Sequence, residues 1–249
     1  MCIRDSGIIL HLLFPCIDLL EKVLIALILS SAMDKVSQLF DSWASNGRAK
    51  LMEKEHGKNV KKFLDGICFG GSFSFLDVGC GNGWVVRKMA QRSECRNATG
   101  IDKSKNMIKY AKKMRSGAKE EYICADIESL RVRRRFDYIF AMESIYYSES
   151  IETALEKIFS LLKPGGEFFC GTDFYSDNKA TSNWSKMTGL AMHLHSKKEW
   201  RELFSNAGFQ VRTRQIKDKQ DRKKWKREFG TLFIVGKKPE TVPVNSAGT

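Results

Sequence analysis

The chain has 249 residues, of which 43% are hydrophobic, and a formal net charge of +13 at pH 7. The length suffices for one domain with a buried core, and the positive charge favours an anionic partner such as nucleic acid, a phosphorylated metabolite or an acidic membrane surface. The seven cysteines form no CxxC or Cys/His zinc pattern, which argues against a structural metal and indicates a reducing compartment.

Residues 8–32 are rich in apolar side chains but do not predict a membrane span. Three charged residues interrupt this stretch, and the uninterrupted apolar run from Val23 to Ala32 is shorter than the roughly 20 residues that cross a bilayer. The opening MCIRDS resembles translated sequencing-adapter read-through, so we expect residues 1–32 to be a non-native or disordered extension and Met33 to be the start. An amphipathic helix or a membrane-surface anchor is the alternative. We expect a cytoplasmic protein.

From Met33 onward, helical and strand periodicities alternate, which is typical of a parallel sheet with crossover helices. Two amphipathic helices, at 34–45 and 48–65, come first, and we expect them to form a lid over the open edge of the sheet. The pattern then predicts Ser74–Val78 (strand), Asn82–Arg92 (helix), Ala98–Ile101 (strand), Ser104–Arg115 (helix), Glu121–Ala125 (strand), Phe136–Met142 (strand), Ile151–Leu162 (helix), Glu167–Thr172 (strand), Lys197–Ala207 (helix), Phe209–Ile216 (strand) and Phe229–Val235 (strand).

Three further segments complete the predicted organisation. Pro164-Gly165-Gly166 is a helix stop, because proline cannot continue a helix and glycine accepts positive φ. Residues 174–195 lack periodicity and are interpreted as an insertion over the active face. We expect a single domain over residues 33–238 and a disordered tail over 239–249.

The strongest motif is FLDVGCGNGW at Phe75–Trp84, a predicted strand that leads into a glycine-rich turn and then a helix. Glycines let the backbone approach a ligand closely, and the start of the helix offers free N–H donors. The spacing of Gly79, Gly81 and Gly83, with Asp77 two residues earlier, differs from the GxGxxG dinucleotide fingerprint. The motif therefore predicts a binding turn of another kind.

This turn resembles the first motif of the small, single-domain class I S-adenosylmethionine-dependent methyltransferases. Asp102 follows a little over twenty positions after the turn, where a carboxylate can accept both ribose hydroxyls. In similar methyltransferases an aspartate at the Asp126 position accepts a hydrogen bond from the adenine amino group, and Ile127 would pack on the ring. The resemblance covers about residues 36–238.

The resemblance implies a Rossmann-like fold with a seven-stranded, mostly parallel sheet, an antiparallel last strand and helices on both faces. It also implies S-adenosylmethionine as co-substrate, with no metal. The predicted co-substrate-binding residues are Asp77, Gly79, Cys80, Gly81, Asn82, Gly83, Asp102, Lys103, Met107, Asp126, Ile127 and Met142.

Catalytic residues are harder to predict, because methyl transfer is an in-line displacement that often needs no strong protein base. The Asn/Asp-Pro-Pro-Tyr/Phe sequence of RNA and DNA amine methyltransferases is replaced after strand four by Ala141-Met142-Glu143-Ser144, which argues against an exocyclic amine target. Glu143 is a candidate to orient the methyl end or accept a proton, with turn capping as the alternative. His193 is a candidate general base, with a structural role as the alternative. Other residues expected near the substrate mouth are Tyr146, Tyr147, Asp173, Tyr175, Trp184 and His195.

The leading functional hypothesis is methylation of a small-molecule acceptor by a monomer or homodimer. The first alternative is an RNA methyltransferase that uses the basic loops 131–135 and 217–227, with Trp225 stacking on a base. The second alternative is a non-catalytic partner protein of the methyltransferase fold.

Overall fold

The computed structural model describes residues 35–240. The expectations for residues 1–34 and 241–249 lie outside the described residues. The elements are α1 (35–45), α2 (Ala49–Asp65), β1 (Phe73–Val78), α3 (Trp84–Ala90), β2 (Cys95–Asp102), α4 (Lys105–Lys113), β3 (Glu120–Cys124), β4 (Phe136–Met142), a 3-10 turn (Ile145–Tyr147), α5 (Ile151–Leu161), β5 (Leu162–Thr172), α6 (Trp184–Thr188), α7 (Lys197–Asn206), β6 (Gln210–Ile216), α8 (Lys224–Glu228) and β7 (Thr231–Lys237).

The strands form one seven-stranded sheet in the order β3-β2-β1-β4-β5-β7-β6. Strands β1 to β5 pair in parallel, whereas β7 is antiparallel to both β5 and β6. The predicted mostly parallel sheet with an antiparallel last strand is therefore confirmed. Because β7 runs in the opposite direction, its first residue, Thr231, lies at the edge where β4, β5 and β6 have their carboxyl ends.

Strand β1 lies inside the sheet between β2 and β4, and all six of its residues are buried. Helices cover both faces there, which explains why burial does not alternate along the strand. One core contains residues of α5 and α7, including Trp200, and the other contains residues of α2 and α3. Phe63 of α2 stacks on Phe233 of β7 with ring centroids 4.0 Å apart, so the second half of α2 is anchored on the sheet.

Three helices begin with serine caps, which satisfy backbone N–H groups at the helix start. Ser104 accepts from the N–H of Met107, and Ser150 accepts from the N–H of Thr153. Ser196 forms a reciprocal capping box with Glu199 at the start of α7. These local contacts fix where the crossover helices start after the strands.

The structure differs from the sequence prediction in short segments. Helix α5 stops at Leu161, but β5 starts directly at Leu162, because Gly165 N–H donates to Lys238 O and Lys238 N–H donates to Gly166 O. The five-residue helices α6 and α8 were not predicted, since so few residues show no helical period. None of the helices in residues 35–240 is long and apolar enough to cross a membrane.

Candidate active site

The glycine-rich turn connects β1 to α3 at the carboxyl edge of the sheet. Gly79, Gly81 and Gly83 have φ angles of +70°, +52° and +77°, which favour glycine because a Cβ is strained there. The N–H groups of Gly79 and Cys80 donate to the carbonyl of Ile101, at 2.8 and 2.9 Å. The turn is therefore tied to the neighbouring strand β2.

A small cavity of about 60 Å³ lies beside the turn, between the ends of β2, β3 and β4. Asp102 lines it, and its two carboxylate oxygens accept from Ser104 N at 2.9 Å and from Gly81 N at 2.8 Å. Burial raises the pKa of Asp102 to about 6, although these two N–H donors oppose the shift. A carboxylate has about four acceptor sites, so this one can accept further hydrogen bonds from a ligand.

Asp126 lies on the same small cavity, with Lys103 and the buried Ile127. One oxygen of Asp126 is 2.6 Å from Lys103 Nζ, and the other accepts from Glu128 N at 3.0 Å. A ligand that uses Asp126 as an acceptor has to share this carboxylate with Lys103.

A larger cavity of about 630 Å³ adjoins the small one, and Gly79 lines both. Cys80, Met142 and Glu143 line its inner end, next to the turn. Its walls come from α1, α2, the start of α3, the 3-10 turn, the 174–195 segment and α8. The aromatic residues in these walls are Phe40, Trp43, Trp84, Tyr146, Tyr147, Trp184 and Trp225.

Glu143 follows β4 and is the one non-glycine residue with positive φ (52°) among residues 35–240. Its carboxylate accepts from the hydroxyl of Tyr146 at 2.7 Å and from the N–H of Asp173. Burial, followed by the charge of Asp173, raises its pKa to about 7. A strained backbone and a perturbed carboxyl group next to a cavity are typical of functional sites.

His56 of α2 reaches the same inner end. Its Nδ1 lies 3.4 Å from Oδ2 of Asp173, whose other oxygen accepts from the hydroxyl of Thr231 at 2.6 Å. Burial would raise the pKa of Asp173, but His56 and Thr231 hold it below its usual value. Sequence reasoning missed His56, because a single histidine on a Lys- and Glu-rich helix has no motif spacing.

The predicted residues thus divide between two cavities and the supporting structure. Gly79, Cys80, Met142 and Glu143 line the large cavity, whereas Asp102, Lys103, Asp126 and Ile127 line the small one with Gly79. Asp77, Gly81, Asn82, Gly83, Met107 and His193 line neither.

These supporting residues are buried or hold neighbouring segments in place. Asp77 lies 3% exposed under the turn, and burial raises its pKa well above the usual value. The amide of Asn82 donates to Ala49 O at 2.7 Å, which ties α2 to the turn. Met107 is fully buried. A ring nitrogen of His193 is 3.0 Å from Ser148 O.

Comparison with known proteins agrees with this geometry. The family described as "Methyltransferase domain" matches residues 76–170, which run from β1 to β5. Residues 76–170 therefore match a methyltransferase domain of the class I, S-adenosylmethionine-dependent type. Within residues 35–240, no group of three or more His, Cys, Asp or Glu side chains could hold a metal ion. The expectation that the chain uses no metal stays a prediction.

Two curated relatives of this chain are named as O-methyltransferases. The malonyl-[acyl-carrier protein] O-methyltransferase of Priestia megaterium is 30% identical over 104 residues, 42% of this chain and 38% of the relative. The ubiquinone biosynthesis O-methyltransferase of Chromobacterium violaceum is 31% identical over 144 residues, 56% and 61% of the two chains. The chain thus matches less than two thirds of each relative's length.

Solved structures share the fold of this chain. A chain from the complex between the Haloferax volcanii Trm112 methyltransferase activator and a methyltransferase is 28% identical, with a TM-score of 0.76 over 80% of this chain and 97% of that one. The N-methyltransferase NodS from Bradyrhizobium japonicum, crystallised with S-adenosylhomocysteine, is 20% identical, with a TM-score of 0.57 over 76% and 87% of the two chains.

Proposed function

We propose that the chain transfers a methyl group from S-adenosylmethionine to a small-molecule acceptor in the large cavity. The observation that carries this proposal is that the two cavities are neighbours, since Gly79 and Tyr147 line both. A ligand that spans both cavities would present its far end to Met142 and Glu143, beside the aromatic walls.

The residues of the small cavity fit S-adenosylmethionine. Asp102 offers acceptor sites for ribose hydroxyls, Asp126 offers one for an amino group, and Ile127 offers an apolar surface for a ring. The N-terminal end of α3 and the glycine turn provide room for the methionine part. When bound, S-adenosylmethionine supplies an electrophilic methyl group on a sulfonium.

The walls of the large cavity would orient the acceptor and exclude water from it. Proximity and alignment are the main requirements of a displacement at a methyl group. The names of the two O-methyltransferase relatives support an oxygen nucleophile.

Calorimetric titration with S-adenosylmethionine and S-adenosylhomocysteine tests the proposal. Asp102→Ala should weaken binding at least tenfold, because hydrogen bonds to charged groups contribute about 1.5–3 kcal/mol each. Asp65→Ala is the control, since Asp65 is half-exposed on α2 and forms only a 4.0 Å ion pair with Lys88. Equal affinities for both variants would exclude Asp102 from the site, and no binding by folded wild type would refute the methyltransferase function.

The RNA alternative has less support from the geometry. Loop 131–135 precedes β4, so it lies roughly 23 Å from Glu143 across the seven residues of that strand. Segment 217–227 instead follows β6 and contributes Lys223 and Lys226 to the large cavity, where both contact Glu55. The two basic segments therefore lie at opposite edges of the sheet. Salt-sensitive retention on tRNA at low ionic strength would favour the RNA alternative.

A protein partner is a second proposal, supported by the structure of the Trm112 complex. Co-expression with a Trm112-type protein should give a complex on size-exclusion chromatography. If that complex forms while the chain binds no S-adenosylmethionine, the non-catalytic alternative is favoured. The same measurement distinguishes a monomer from a homodimer.

A further inference from the structure

Two buried polar atoms at the inner end of the large cavity have no hydrogen-bond partner among residues 35–240. They are Nδ1 of His56 and Oδ2 of Asp173, and they face each other at 3.4 Å. A normal N–H···O hydrogen bond is about 2.7–3.2 Å long, and buried polar atoms are rarely left without one. Catalytic hydrogen bonds are often long before the substrate binds, so this pair has the geometry of a base and its orienting carboxylate.

Asp173 is held firmly at the end of β5. Its second carboxylate oxygen accepts from Thr231, and its carbonyl accepts from Asn178 and Thr181 at 2.9 and 3.0 Å. The side chain of His56 is 21% exposed, and the exposed part faces the cavity because Nδ1 is buried. Nε2 is therefore the ring nitrogen that an acceptor can reach.

Charged groups from three other elements surround His56. Burial alone would lower its pKa, but Asp173, with a smaller contribution from Glu143, raises it above the usual value. Lys226 of α8 opposes this rise, and the carboxylate of Glu55 is the neighbouring charge on α2 itself. The surroundings thus favour the imidazolium that forms when His56 accepts a proton.

Given the methyltransferase function proposed above, we propose that His56, positioned by Asp173, is the general base for an aromatic hydroxyl acceptor. The aromatic walls of the large cavity suit a planar ring, since offset and edge-to-face ring contacts are favourable. A phenol has a pKa of about 10, like tyrosine, so it needs a base near neutral pH. A carboxylate acceptor needs no base and would lie beside Glu143 and Asp173.

The proposed step is balanced in atoms and charge. The phenolic proton moves to Nε2 of His56 while the oxygen forms a bond to the methyl carbon. The carbon–sulfur bond breaks, and its electron pair stays on the sulfur of S-adenosylhomocysteine. Asp173 stabilises the imidazolium until the proton leaves to solvent.

The test compares His56→Gln and Asp173→Asn with wild type, and His195→Gln serves as the control. His195 lies outside the large cavity, with its ring 5.4 Å from that of Trp200. Radiolabelled methyl transfer is measured against pH with three probes of similar size: phenol, aniline and benzoate. A fourth probe, 4-nitrophenol, is a more acidic phenol that ionises without a base. S-adenosylhomocysteine affinity is measured for every protein.

Wild type should methylate phenol with a rate that rises with pH through the pKa of His56. His56→Gln should lose about 10²–10⁴-fold in rate with phenol and much less with 4-nitrophenol. Asp173→Asn should shift the rising limb to lower pH, because the carboxylate raises the pKa of His56. A role in packing alone would not produce this dependence on acceptor acidity or the shift in pH.

Histidine NMR provides a readout that needs no turnover. The chain has four histidines, so the His56 signal is assigned by its loss in His56→Gln, and it should titrate above the usual pH range in wild type. The inference is overturned if wild type methylates only aniline or benzoate, or none of the probes. It is also overturned if His56→Gln lowers the rate of methyl transfer equally with phenol and with 4-nitrophenol. If the wild-type protein does not bind S-adenosylhomocysteine, the proposed function itself is refuted.

Discussion

Gly79→Ala tests the glycine turn where the two cavities meet. Gly79 has φ +70°, and a Cβ at this position would lie 2.3 Å from Cβ of Ser144. Cβ atoms in folded proteins essentially never come within 3.0 Å of another heavy atom to which they are not bonded, so Ser144 has to move. That residue also donates a 2.7 Å hydrogen bond to Val78 O, which the movement would break.

The expected cost follows from these three effects. Left-handed backbone costs about 1–2 kcal/mol for a non-glycine residue, the steric overlap costs about 1–3 kcal/mol, and the lost hydrogen bond costs about 1 kcal/mol. Gly79→Ala should therefore lower the free energy of unfolding by about 3–6 kcal/mol. Gly189→Ala isolates the backbone effect, because Gly189 has φ +68° with no atom within 4 Å of the added Cβ, and it should cost about 1–2 kcal/mol.

Urea unfolding measures the free energies, and calorimetry measures S-adenosylhomocysteine affinity. The double variant Gly79→Ala/Ser144→Gly removes the overlap, so a double-mutant cycle with Ser144→Gly should show a favourable interaction of about 1–3 kcal/mol. Gly79→Ala should also weaken ligand binding, whereas Gly189→Ala should not. A Gly79→Ala variant as stable as Gly189→Ala would refute the steric argument.

Two further predictions concern stability against pH. Glu143 has a pKa raised to about 7 from 4.5, so its stabilising effect is complete below pH 4.5 and is lost as the pH rises through 7. Glu143→Gln should thus gain at most about 3 kcal/mol over wild type at pH 8 and nothing at pH 4, and equal urea midpoint shifts at both pH values would contradict this. Burial would raise the pKa of Asp137. Lys163, whose Nζ lies 2.8 Å from the Asp137 carboxylate, and Ser74 lower this pKa below its usual value. Its stabilising effect is therefore present above pH 3.8 and lost as the pH falls through the lowered pKa, so Asp137→Asn should cost about 1–2 kcal/mol at pH 7 and little at pH 2; a cost that persists at pH 2 would show another cause.

The central strands and the turn were predictable because their determinants are local. Strand β4 has the bounds that its apolar run predicts, Phe136–Met142. Asp102 ends β2, and Asp126 follows β3 by two residues, so the parallel arrangement brings both to one small cavity. The order of strands in a Rossmann-like sheet thus brings residues that are distant in sequence into one cavity.

The inner end of the large cavity was only partly predictable. Glu143 and Asp173 follow strands, and their positions were expected near the substrate mouth. His56 reaches them only because Phe63 anchors α2 on β7, a contact between segments far apart in the chain. Met107 lies on the apolar face of α4 and is fully buried, and its part in co-substrate binding stays a prediction.

Most of the residues that line the large cavity lie outside the segment that the family match covers. The matched segment, residues 76–170, holds the glycine turn and Glu143, whereas α1, α2, α6 and α8 lie outside it. Under the proposed function, an acceptor would therefore be recognised mainly by stretches of sequence other than the one that holds the glycine turn. On that proposal, substitutions in these helices should change the preferred acceptor while the glycine turn stays intact, which makes the helices the place to engineer specificity.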